Sequence, residues 1–214
     1  MITTEIPKLL VSPEHAMHEA LGCIKECQEP TNIWEQHILK VHKDELKCPS
    51  CTQPDCCFNV SLITFPEAVA IIHFLAMRGE KQMLDALVQQ GRRQDELCGN
   101  YILDDDAFVE GTGKWQDLKE PCAALRDGKC FIREVGPSMC RVYYVLKGSD
   151  CLGDEWHVDS KAVIDIIWPA YKRFTEMVLG KNIVIPARPI GMAINAAGAI
   201  LFPEQFKRKE DTRG

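Results

Sequence analysis

The chain has 214 residues, 46% hydrophobic and 26% charged, enough to bury one substantial core and unlike a disordered or collagenous polymer. Its 25 Lys and Arg against 31 Asp and Glu leave a net charge of −6. That balance argues against sequence-independent nucleic-acid binding, which needs a basic footprint to displace counterions. One number is out of line, the 11 cysteines.

The opening Met1 to Pro7 has no basic region followed by an apolar run. The weakly polar stretch from Pro189 to Pro203 is too short, and too interrupted by Asn195 and glycines, to span a bilayer. A cytoplasmic chain with no membrane partner is expected. Its thiols stay reduced there, and closely spaced cysteines serve metals or redox groups more readily than disulfides.

In chain order, Ser12-Pro13 opens a first helix, a capping residue followed by proline at the first helical position. Met17, Ala20, Leu21 and Ile24 share one face of it, and it is expected to end near Gln28. A second helix follows from Thr31-Asn32 to about Leu46. Thr64-Phe-Pro-Glu67 reads as a capping box for a helix through the apolar run Ala68 to Ala76, ended by Gly79. Lys81 to Gln90, with Met83, Leu84, Leu87 and Val88, forms the next helix, stopped by Gly91. Asp127-Gly128 is a hairpin signal, because a type I′ turn requires positive φ at both central residues. Gly136-Pro137 marks another turn, and Arg141 to Leu146 is rich enough in β-formers to predict a strand. A long helix over Ser160 to Leu179 carries Val163, Ile167, Tyr171, Phe174 and Val178 on one stripe; Pro169 should kink it and Gly180 close it. The charged tail from Glu204 is expected to fray.

The fold expected is therefore mainly α with a small β element (α+β): a helical domain with a Cys-rich metal-binding knuckle formed by two loops. Three segments are drawn, an N-terminal helical part over 1–47, a Cys-cluster region over 48–146 and a long helix with tail over 147–214, all within one compact domain.

The thiols carry the chemistry. Cys48-Pro-Ser-Cys51-Thr-Gln-Pro-Asp-Cys56-Cys57 contains a C-x-x-C pair, which lets two thiolates face one centre while turn amides reach the sulfurs. Cys122, Cys130 and Cys140 form a second cluster, and the hairpin should bring Cys122 and Cys130 together across its strands. Cys48, Cys51, Cys56, Cys57, Cys122, Cys130 and Cys140 are the candidate metal ligands. An all-thiolate set suits zinc or an iron–sulfur cluster and disfavours magnesium, calcium and manganese. Three thiols beyond the four that one zinc or one cubane uses, with the adjacent pair Cys56-Cys57, tip the choice towards an iron–sulfur cluster or multinuclear site.

These residues resemble the YkgJ-like cysteine-cluster family, described as a zinc- or iron-chelating domain. The family's C-x-x-C, its following C-C and its acidic helix start correspond here to Cys48, Cys51, Cys56-Cys57 and Glu67. Its later P-C-x-x-L, D-G-x-C and R-P-x-x-C-R correspond to Pro121-Cys122-Ala-Ala-Leu125, Asp127-Gly128-Lys-Cys130 and Pro137-Ser-Met-Cys140-Arg141. Four residues separate Cys51 from Cys56 where the family has three, and Gly136 stands in place of the family's Arg. The resemblance covers Cys48 to Val145 and implies metal binding without a settled activity. Flagellin lysine methylases look similar around such a cluster, which extends the expectation to a protein-modifying enzyme.

The remaining candidates read as structure. Cys23 and Cys27 lie one turn apart and are expected in the core. Cys98 and Cys151 are isolated, with either able to complete the site. His73 sits in an apolar run as a core residue, and Asp104 to Asp106 reads as a solvated turn or cap. The leading expectation is a cytoplasmic metal-binding protein. The alternatives are a metal-dependent redox or methyl-transferring enzyme and a zinc-structured interaction module.

Overall fold

The structure, a computed structural model, describes residues 7–44, 55–58, 61–98, 105–142, 161–181, 183, 185 and 187–206. Its described elements are mostly helical: α1 Pro13–Val41, α2 Phe65–Met77, α3 Lys81–Cys98, α4 Asp105–Asp117, α5 Ser138–Val142, α6 Lys161–Leu179, α7 Ile190–Leu201 and α8 Pro203–Phe206. The strands are short: β1 Leu62–Ile63, β2 Leu125–Arg126, β3 Lys129–Cys130 and β4 Arg188–Pro189. The protein is thus mainly α with a small β element, in two antiparallel pairs, β1–β4 and β2–β3.

α2 is the central helix. Every residue from Phe65 to Ile72 is buried, and so are Phe74 and Leu75. A helix buried on all sides belongs inside the protein, each large apolar side chain contributing about 1.5–3 kcal/mol on leaving water. Around it, α1 packs against both α2 and α6, α7 packs against α2 and α3, and α4 packs against α3. The stripe expected on α6 is buried in full: Val163, Ile167, Tyr171, Phe174 and Val178. A single cluster joins Ala20, Ile71, Leu87, Ile132, Phe174 and Ile194, side chains drawn from all three segments of the chain.

Three expectations are corrected. The break near Gln28 is absent, since α1 runs unbroken through Pro30. A proline in a helix interior removes one ladder donor, but the buried stripe Ala16, Ala20, Cys23, Ile24, Cys27, Thr31 and Ile38 continues across it. Thr31 Oγ1 donates to the Cys27 carbonyl at 2.7 Å, adding a local bond in the interrupted turn. Gly91 does not stop α3, which continues to Cys98. It is the place where α3 meets α7, with Gly191 opposite. The strand expected from Arg141 is not formed at its start, because Arg141 and Val142 are the last turn of α5; 143–146 lie outside the described residues.

Other signals read as expected. Asp127 and Gly128 have φ of +52° and +72°, joining β2 to β3. Gly180, at φ +102°, ends α6 by donating to the Glu176 carbonyl at 2.9 Å. Among the described residues, no helix is long and apolar enough to cross a membrane.

Candidate metal centre

Four of the seven candidate thiols have described side chains: Cys57, Cys122, Cys130 and Cys140, all half-buried. The backbone of Cys56 lies in a 3₁₀ turn at Asp55–Phe58, while Cys48 and Cys51 fall outside the described residues, as does Cys151. Cys122, Cys130 and Cys140 pack against the rim of the core rather than within it. Among the described residues, no group of three or more His, Cys, Asp or Glu side chains is gathered as a metal site.

The two clusters nevertheless meet through the backbone. The Cys122 N–H donates to the Cys57 carbonyl at 2.6 Å, joining positions far apart in sequence. In the hairpin, Cys130 faces Leu125 in the strand register, and Cys122 lies three residues before that partner. Cys122 begins the turn closed by the Leu125 N–H on its own carbonyl at 2.9 Å. This turn folds Cys122 back towards Cys57.

Each thiol-bearing segment of the second cluster is held to the helices by side-chain bonds. Gln90 on α3, 2% exposed, straddles Cys122. Its Nε2 donates to the Pro121 carbonyl at 2.8 Å, and its Oε1 accepts from the Ala123 N–H at 3.0 Å. Beside it, Ser61, Gln94, Trp115 and Cys122 help line a cavity of about 10 Å³, the size that holds one water. The buried Gln94 Oε1 has no hydrogen-bond partner among the described residues. Gln90→Ala would remove both part-buried hydrogen bonds, to the Pro121 carbonyl and from the Ala123 N–H, lowering stability by about 2 kcal/mol at roughly 1 kcal/mol for each; thermal melts should show a fall of about 4–8 °C.

The hairpin carrying Cys130 is tied down by Arg126. Its guanidinium reaches both oxygens of Glu80 at 3.1 and 2.7 Å and lies 4.5 Å over the Phe131 ring. The hydrogen bond from Arg126 holds the Glu80 carboxyl below the usual carboxylate range. A depressed folded value means that support is present above the unfolded value and lost as pH falls through the folded one. The expected outcome is a carboxyl NMR titration of Glu80 with a midpoint below the ordinary value, rising towards it in Arg126→Ala, where only the weaker pull of Arg78 remains.

Cys140 lies in α5, whose two ends are anchored differently. At its start, the Ser138 N–H donates to Glu67 Oε1 at 2.7 Å. Near its end, Arg141 pairs with Glu35 at 3.2 Å and also reaches Asn32, both on α1. Arg133 approaches the same Glu35 at 3.3 Å, so two arginines converge on one carboxylate of α1.

Cys23 and Cys27 are core residues, 8% and 3% exposed. The hydrogen bond with Cys27, reinforced by burial, pushes the Cys23 thiol far above the usual thiol range, which keeps it protonated and unreactive at neutral pH. His73 is half-buried within α2. A separate cavity of about 560 Å³ opens between α1 and α6, lined in part by Trp34, Ile33, His37, Val163 and Ile166, with no cysteine in its lining among the described residues.

The donor chemistry fits a thiophilic metal. Half-buried thiols at the rim of the core are partly accessible and keep the soft donor sulfur that such metals bind. Comparison of the chain with protein-family models, curated proteins and solved structures found no match.

Proposed function

We propose that this is a metal-binding protein in which thiolates of Cys48, Cys51, Cys56, Cys57, Cys122, Cys130 and Cys140 supply the ligands of an iron–sulfur cluster or of zinc. The observation that carries this reading is the 2.6 Å hydrogen bond from the Cys122 N–H to the Cys57 carbonyl. It ties the Asp55–Phe58 turn, which carries Cys57, to the P-C-x-x-L loop, as a shared centre requires. Seven thiols exceed the four that one zinc or one cubane uses, and with the adjacent pair Cys56-Cys57 they favour a cluster or a multinuclear site. A metal here orders loops too short of apolar residues to order themselves, and a cluster adds the capacity to pass or sense one electron.

Purification without oxygen, followed by a visible spectrum and analysis for iron, zinc and acid-labile sulfide, tests the reading. Iron with sulfide in a brown protein is the expected result; a colourless protein with about one or two zinc ions retains metal binding and assigns it a structural role. No stoichiometric metal overturns the proposal.

A further inference from the structure

Glu67 is only 1% exposed, and its two oxygens do different things. Oε2 accepts from the Thr64 N–H at 2.7 Å and from Thr64 Oγ1 at 2.8 Å, closing the start of its own helix, α2. Oε1 accepts from the Ser138 N–H at 2.7 Å and from the Tyr171 hydroxyl at 3.0 Å, reaching α5 and α6. Tyr171 is held protonated, since burial first and then the Glu67 charge push its hydroxyl far above its usual range. Its one proton goes to Glu67, so in the 2.7 Å contact between Ser138 Oγ and Tyr171 the serine hydroxyl is the donor.

Capping alone does not account for this arrangement. Burying a carboxylate costs several kcal/mol unless its lone pairs are met, whereas an exposed carboxylate caps a helix without that cost. The four donors compensate the burial, and two of them lie on other elements. α5 has five residues, too few to hold itself as a helix, so its direction depends on its anchors. A charge-assisted bond is roughly twice as strong as a neutral one, and this one falls on the first residue of α5, two before Cys140.

We propose that Glu67 is a positioning residue for Cys140: by fixing the Ser138 N–H it sets the start of α5 and so the place where the Cys140 thiol is presented. This rests on the metal-binding reading of Cys140. Cobalt(II), added to the reduced, metal-free full chain, is the probe, because its sulfur-to-metal charge-transfer band grows with each thiolate bound. Glu67→Gln is expected to weaken cobalt binding about 10–100-fold and to reduce the band to that of Cys140→Ser. In the Cys140→Ser background, Glu67→Gln should change affinity by less than about twofold, while still lowering the melting temperature. Ser138→Pro, which deletes the same N–H where the first helical turn accepts proline, should give the same loss of affinity, and reports in its place if Glu67→Gln does not fold. Wild-type affinity and band intensity in either folded variant, or a loss that multiplies with that of Cys140→Ser, overturns the positioning role. Absence of cobalt binding by the unsubstituted protein overturns the metal reading instead.

Discussion

Cys130→Ser is expected to lose metal, and Cys48→Ser with it, while Cys23→Ala keeps the full complement. A ligand thiolate removed from a shared centre should weaken binding by at least about 100-fold, the upper end of what supporting residues contribute. Cys23 offers the opposite pattern. It lies in the core at 8% exposure, so Cys23→Ala removes packing and should lower stability by about 1 kcal/mol with no change in bound metal. Chelation separates the two effects further. A ligand present at about a thousand times its dissociation constant stabilises by roughly 4 kcal/mol. A chelator should therefore lower the wild-type and Cys23→Ala melting temperatures by about 8–16 °C, and that of Cys130→Ser by at most about 3–6 °C, because a site 100-fold weaker gains only about 1.4 kcal/mol from the same metal. Elemental analysis beside thermal melts of the four proteins checks this; equal metal in all of them would remove the assignment.

Gly191→Ala is expected to be strongly destabilising. A Cβ at Gly191 would fall 2.6 Å from the Gly91 Cα and 2.8 Å from the Leu87 carbonyl oxygen. Both neighbours are backbone and cannot rotate away. α3 and α7 would have to separate, straining the 3.0 Å bond from Asn195 Nδ2 to the Val88 carbonyl. Overpacking of this kind costs about 3 kcal/mol, a fall of about 6–12 °C in a chain this size. Gly22 provides the contrast. It lies within α1 with nothing inside 4 Å of an added Cβ, so Gly22→Ala should raise stability by about 0.5–1 kcal/mol through helix propensity alone. Urea unfolding of both variants measures the difference.

These glycines also show where sequence patterns stop. Gly91 follows an amphipathic run, and local signals read it as a terminus; its partner Gly191 lies a hundred residues away, beyond the reach of any window. Pro30 is a breaker by the same local logic, yet the buried stripe from Ala16 to Ile38 outweighs it because packing against α2 and α6 exceeds the loss of one ladder bond. The hairpin at Asp127-Gly128 was legible because its geometry is set by two adjacent residues. So was the stripe on α6, whose period is local. At the candidate centre, the thiols and their loops could be read directly, as could Glu67 as a cap. Its second oxygen could not, since Ser138 and Tyr171 meet it only after three helices pack. Gln90 carried no signal, because nothing local marks a glutamine that holds the backbone on both sides of a distant cysteine.

The pairing of β1 with β4 sets an order of events during synthesis. Leu62 pairs with Pro189, and the Ile190 N–H meets the Ser61 carbonyl at 3.1 Å, so residues from the first third of the chain wait for the last before this seam closes. At about 5–20 residues per second on the ribosome, the Cys48–Cys57 loop emerges about 7–26 s before β4, the partner that closes the seam with β1. For that interval these thiols have been made but the finished body is not yet there. A metal loaded in that time meets a nascent chain, and one loaded later meets a completed fold.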